Sequence, residues 1–334
     1  MKKFIDSHYY SIIITFTFLL VLIPVLVFVL STPLFKYKYS GYNDDIVYTN
    51  VYVLGDEIEL DEKTIIEELN AFHNNPYDDE KDEVYDFLKN TDYKVKFENN
   101  CIKEKGGKYI ASKVGECEIY FQCKGFKRVI VKRAIITDKD YSDFTRINTV
   151  EEFLNIDYQR NSLGDPMKDE DGNRLISKYI LNANLDFTNV DISIINVYGV
   201  LINPYGYTLD NIHFSQDQME KNNKIKFNTN NVNFISVNGL VDGLIFNNFK
   251  YDVERGEYDT TGVSPIRAES AYISNIKMDL TINISKERPE EVLIVDFYFT
   301  EHVVTKSTFT YKYTDKKPKF APSNRYVNVI VTEK

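Results

Sequence analysis

Three phrases decide how the second half of this chain is read: YTLDNI (Tyr207–Ile212), LIFNNF (Leu244–Phe249) and AYISNI (Ala271–Ile276). Each runs apolar, polar, asparagine, apolar, and the asparagines Asn211, Asn248 and Asn275 stand 37 and then 27 residues apart. From Tyr179 onward the phrases sit among short alternating runs and tight turns, with no further long helical pattern. A motif recurring every few tens of residues within strands marks stacked coils. One coil cannot bury its apolar face, whereas a stack makes a continuous core. Asparagine suits a coil corner because it tolerates left-handed backbone and its amide can bond the coil above or below. The three asparagines are therefore expected to form a structural ladder at one shared corner. The competing reading is an antiparallel sandwich in which the asparagines recur by coincidence.

The wider stretch INTVEEFLNI, KYILNANLDFTN and YGVLINPYGYTLDNI, between Ile147 and Ile212, resembles the opening of GLUG-type domains, and FISVNGLVDGLIFNNF (Phe234–Phe249) resembles their second phrase. That resemblance implies a right-handed parallel β-helix of pectate-lyase-like architecture, on bacterial secreted or surface proteins that are often adhesin-like, with no shared catalytic motif. The chain departs from the pattern at Asn203-Pro204-Tyr205-Gly206, where the family has Asp-Gly-Asn-Gly. Insertions are expected at Asp165–Arg174 and Glu254–Pro265. Upstream, Thr149 and Glu152 have the spacing of a capping box, predicting a short helix over Ile147–Leu154.

The first half reads differently. Ile46–Leu60 predicts two strands around Gly55, Asp61–His73 and Glu83–Leu88 predict helices, and from Tyr93 the period returns to two. Gly106-Gly107 is a hairpin turn. In ECEIYFQCK (Glu116–Lys124), Cys117, Ile119, Phe121 and Cys123 share a face. VKFENNCIKEKGGKYIASKVGECEIYFQCKGFKRVIVKRAI (Val95–Ile135) resembles the C-terminal two-thirds of a bacterial Ig-like domain, which implies a β-sandwich spacer without an active site. The acidic stretch Gly41–Asn90 departs from that pattern: it holds fifteen Asp/Glu and three Lys, so it carries more than the whole chain's net charge of −10. Such a charge run reads as a solvated, partly helical face.

Ile12–Leu30 contains no charge and is interrupted only by Thr15, Thr17 and Pro24. As a helix it would approach the thickness of a bilayer's apolar layer. Three readings compete: an uncleaved anchor, a cleaved signal and a buried helix. The anchor is preferred, because a signal's apolar core is shorter and a core helix is seldom apolar all round. Flanking lysines balance, and the long following segment favours translocation of the bulk. The expected organisation is a cytoplasmic tail over residues 1–10, a transmembrane anchor over 11–31, a stalk over 32–44, an Ig-like domain with an acidic insert over 45–137, and a β-helix-like domain over 138–334. The protein is thus expected to be mainly β, single-pass, in the cell membrane and extracellular in bulk.

Chemistry is sparse. Lys+Arg 40 against Asp+Glu 50 gives no support to a nucleic-acid partner. Cys101, Cys117 and Cys123 are too few and too scattered for a metal framework; Cys117 and Cys123, alternating with Ile119 and Phe121, read as small core residues, and a bridge from Cys101 to either of them is open in an oxidising compartment. The loop Asp165–Asn173 fails the calcium-loop pattern, since Met167 stands at the first ligand position. Asp186, Asp191, Asp210 and Asp242 show no consistent pairing for acid–base work, and His213 and His302 lack a nucleophile at a recognisable elbow. No nucleotide-binding loop occurs. No catalytic, metal or cofactor residue is therefore assigned, and the expected partners are the membrane and a glycan or protein ligand met by exposed Tyr and Asn. The alternative is an extracellular polysaccharide lyase or hydrolase on the same scaffold.

Overall fold

A computed structural model describes residues 18, 20–23, 49–58, 93–97, 100–123, 129–157, 167, 175–215, 233–253, 264–284, 295–297, 302–314 and 326–334. The predicted stalk, the acidic helices and most of the predicted anchor lie outside these residues. Among the described residues, no helix is long and apolar enough to cross a membrane.

Alternating apolar and polar residues build the first unit as two sheets. Strands β1 (Thr49–Val53), β3 (Tyr93–Phe97), β6 (Gly115–Cys123) and β7 (Val129–Thr137) form one, in the order β1-β7-β6-β3. Strands β2 (Glu57–Ile58), β4 (Ile102–Lys105) and β5 (Lys108–Ala111) form the other, in the order β2-β5-β4. Pairing is antiparallel except for β1 on β7. The turns fall where the glycines predict: Gly55, Gly106 and Gly107 all have left-handed φ. Cys117 and Ile119 are buried on one face, with Ile58, Cys101 and Ala111 also in the core.

From β8 (Thr145–Ile147) the pairing becomes wholly parallel. The chain shuttles between two sheets, which is the stacked-coil topology. The first sheet takes β8, β9 (Ser177–Leu181), β11 (Ile195–Ile202), β14 (Ile235–Asp242), β16 (Ile266–Ser274), β18 (Val295–Phe297), β19 (His302–Thr305) and β21 (Tyr326–Val327). The second takes β10 (Leu185–Asp186), β12 (Thr208–Asp210), β13 (His213–Ser215), β15 (Ile245–Val253), β17 (Lys277–Ile284), β20 (Thr308–Tyr313) and β22 (Ile330–Glu333). An antiparallel sandwich is excluded for this half.

Successive coils place like residues in columns. Leu185, Leu209, Phe246, Met278 and Phe309 follow one another in register across the second sheet, all buried. Leu201, Val241, Ile273 and Val304 do so across the first. Their contact is the main core. Helix α1 (Val150–Leu154) closes one end. Thr149 and Glu152 make the reciprocal capping box, and Phe153 is fully buried edge-on to Phe187. The box satisfies amide groups that would otherwise be orphaned at the helix start.

The outer face of the first sheet is apolar as well. Val200, Leu240, Tyr272 and Val303 form an outward column that packs with Ile135 of β7 and with Phe144. The first unit is therefore seated on the stack. Lys178 reinforces the seam, reaching Glu116 and Asp143, each at 3.3 Å.

Candidate functional site

Where the chain leaves the first sheet, four successive coils turn through left-handed backbone. The register aligns Asn203, Gly243, Asn275, Lys306 and Asn328 in one column at this corner, immediately after the rung Ile202, Asp242, Ser274, Thr305 and Val327. Gly243 (φ 78), Asn275 (φ 54), Lys306 (φ 50) and Asn328 (φ 56) all adopt it. Their amides step down the stack. Asn203 donates to the carbonyl of Asp242 at 2.9 Å, Gly243 to Ser274 at 3.0 Å, Asn275 to Thr305 at 3.2 Å and Lys306 to Val327 at 3.1 Å.

Asn211 and Asn248 occupy a different column, a break within the second sheet. Both are left-handed, at φ 61 and 52. Asn248 Nδ2 donates to Asn211 Oδ1 at 2.8 Å, and Asn211 Nδ2 donates to Asp186 Oδ1 at 3.0 Å. The structure thus joins Asn211 and Asn248 in a ladder and places Asn275 at the other corner, where its Nδ2 meets Asp242 Oδ1 at 2.7 Å. The three phrases look alike because both turns need a left-handed residue flanked by inward apolar ones. In the next coil one residue, Asp279, lies opposite the pair Asn247–Asn248, so the bulge is lost there.

The carboxylates are arranged more closely than their sequence positions suggest. Asp186 and Asp210 are register partners on adjacent coils, a pairing not legible in the sequence. Asn247 Nδ2 donates to Asp210 Oδ1 at 2.8 Å, and Thr208 Oγ1 to Asp210 Oδ2 at 2.7 Å. Hydrogen bonds from Asn211 and Thr188 hold Asp186 below the usual carboxylate pKa, so it is a fixed acceptor and a poor proton donor. His213 Nε2 lies 2.5 Å from Asp252 Oδ2, on the exposed side of the second sheet. Among the described residues, no group of three or more His, Cys, Asp or Glu is placed to hold a metal ion.

A patch that sequence reasoning missed lies beside the first corner. Asn203, 4% exposed, folds its amide back into its own loop. Its Nδ2 donates to the carbonyls of Tyr207 at 2.8 Å and Gly243 at 2.9 Å, while Oδ1 accepts the Tyr207 amide at 3.0 Å. The loop Asn203-Pro204-Tyr205-Gly206-Tyr207 is thereby locked, with Gly206 at φ 73, and it holds Tyr205 47% exposed. Tyr205 stands edge-to-face with Tyr207 at 5.8 Å and with Tyr141 at 6.1 Å; Tyr141 in turn meets Phe144 at 5.7 Å.

The Tyr141 loop is itself fixed by Asp138. That carboxylate accepts the amides of Asp140 and Ser142, both at 3.0 Å, and the Ser142 hydroxyl, and these bonds lower its pKa. Burial pushes the Tyr141 phenol above its ordinary value, with Tyr205, Asp56 and Asp242 adding to the shift. Asp242 carries Ser274 Oγ at 2.5 Å and Asn275 Nδ2 at 2.7 Å on one oxygen. The result is an aromatic surface bordered by amides and carboxylates on rigid turns. It offers stacking area and hydrogen bonds, and no activated nucleophile. The signal was present at Asn203–Tyr207, as the departure from the resembled pattern.

No family model, no curated protein and no solved structure matches this chain.

Proposed function

We propose that this is a bacterial membrane-anchored surface protein, adhesin-like or structural. In this reading an Ig-like unit seats a right-handed, GLUG-type β-helix whose tyrosine-lined corner binds glycan or protein. The observation that carries the binding role is Tyr205, half exposed on a turn locked by the buried Asn203 and backed by Tyr141 and Tyr207. Rigid aromatic faces lose little freedom when a ligand stacks on them, and nearby amides supply direction. Two observations support the anchor. Ile12–Leu30 is uncharged, and the apolar residues Phe18, Leu20, Val21 and Ile23 are more than half exposed. The packed seam between β7 and the first parallel sheet suits a rigid presenting unit better than a flexible spacer.

The lyase or hydrolase reading draws on the Asp186–Asp210 register pair. It is disfavoured because general acid catalysis needs a carboxyl with a raised pKa, whereas Asn211 and Thr188 lower that of Asp186 and both oxygens of Asp210 are occupied by the Asn247 amide and the Thr208 hydroxyl. Glycan-array binding by the full chain in detergent tests the proposal. Tyr205→Ala is expected to keep the fold and lose about tenfold in affinity, the order of one aromatic contact. Retained binding in that variant removes the corner from the account.

A further inference from the structure

From the way their backbones and sulphurs interlock, we infer that Cys101 and Cys117 are a disulfide-forming pair that excludes Cys123. Cys101 immediately precedes β4, and its carbonyl is pinned by the amides of Ser112 at 2.7 Å and Lys113 at 3.2 Å and by Ser112 Oγ at 3.1 Å. Its Sγ is thereby set against β6, donating to the carbonyl of Glu116 at 3.2 Å, one peptide from Cys117. The approach is reciprocal: the backbone amides of Cys101 and Ile102 face the Cys117 sulphur, and the Cys101 side chain is within its hydrogen-bonding reach. Both side chains are buried, at 3% and 1% exposed. Cys123 lies six residues along β6 from Cys117, on the order of 20 Å at the rise of an extended strand, beyond any disulfide.

Once the fold has closed, burial keeps an external disulfide from both sulphurs, and burial with the neighbouring Cys101 thiol pushes Cys117 up to about 11, so its thiolate is scarce at neutral pH. The bond therefore forms while the chain folds. One thiolate displaces a thiolate from an external disulfide such as oxidised glutathione, giving a mixed disulfide. The second then displaces the other half. The two cysteines are oxidised, the external disulfide is reduced to two thiols, and those thiols take up the protons the cysteines lose. Closed, the bond ties the β4–β5 hairpin to β6 of the larger sheet. Its presence in the cell rests on the exterior placement proposed above; its chemistry does not.

The test refolds the full chain in detergent with oxidised glutathione and maps peptides after alkylation. A Cys101–Cys117 link is expected, with a mass lower by two hydrogens and Cys123 alkylated, and Cys123→Ser is expected to give the same link. The folded, reduced chain at pH 7 is expected to resist both the oxidant and the alkylating agent at these two positions. Refolded chains in which Cys101 and Cys117 remain thiols, or in which either joins Cys123, overturn the pairing. In chains acid-quenched from expressing cells, the link supports exterior placement. Its absence there, with the link formed in vitro, counts against the placement and leaves the pairing standing.

Discussion

Asn248 rests on Asn211 one coil away, amide to amide at 2.8 Å, each at a left-handed break in the same sheet. The contact matters because it does two things that separate under mutation. Asn248→Gly keeps the backbone freedom and loses the bond, for an expected cost of about 1 kcal/mol. Asn248→Ala loses both and is expected to cost about 2 kcal/mol. Chemical denaturation of the two variants checks the order; equal losses would show that backbone freedom contributes nothing at this position.

Lys306 stands where the neighbouring coils use Asn275 and Asn328, in the same left-handed conformation at φ 50. Lysine has no local side-chain bond to favour that region. Lys306→Asn is therefore expected to stabilise by about 0.5 kcal/mol, and the β-branched Lys306→Val to destabilise by about 1–2 kcal/mol. Thermal melts of both variants read the sign directly.

Gly239 stacks on Gly199 at a bend in the first sheet, at φ 129 and 119. A Cβ at Gly239 would lie 2.1 Å from the Gly199 carbonyl oxygen, and one at Gly199 would lie 2.3 Å from that of Ser177. Backbone cannot yield as a side chain can. Gly239→Ala is expected to cost about 3 kcal/mol or more, while Gly206→Ala, with open space around it, is expected to cost only about 1 kcal/mol from its positive φ.

Asp186 titrates below the ordinary aspartate range because Asn211 and Thr188 bond its ionised form. A depressed folded-state pKa means that this contribution is fully present above the unfolded value. It is lost as pH falls through the folded one, below about pH 4. Carboxyl-resolved NMR is expected to show Asp186 rising toward the ordinary value in Asn211→Ala. An unmoved titration would remove the bond from the cause.

The parallel stack was legible because a left-handed asparagine between apolar residues marks a turn whatever sheet it serves. That same generality hid the difference between Asn275, at the exit from the first sheet, and the Asn211–Asn248 column in the second. The short helix was legible from Thr149 and Glu152, whose capping box is purely local. Register was not: Asp186 and Asp210 face each other because of where Leu185 and Leu209 pack, a long-range decision. The Tyr141–Tyr205–Tyr207 cluster joins the loop between β7 and β8 to a turn of the stack, and no spacing rule connects them. Nor does composition reveal that Val200 and Leu240 face outward under Ile135, because a strand covered on both faces shows no alternation.

In the proposed topology a single apolar segment tethers this stack on the outer side of a membrane. Protease shaving of intact bacteria expressing the full chain, detected by antibody to the stack, addresses it most directly. Loss of the stack's signal from intact cells, with a cytoplasmic control protein untouched, is the predicted result. Digestion that requires permeabilised cells would contradict it.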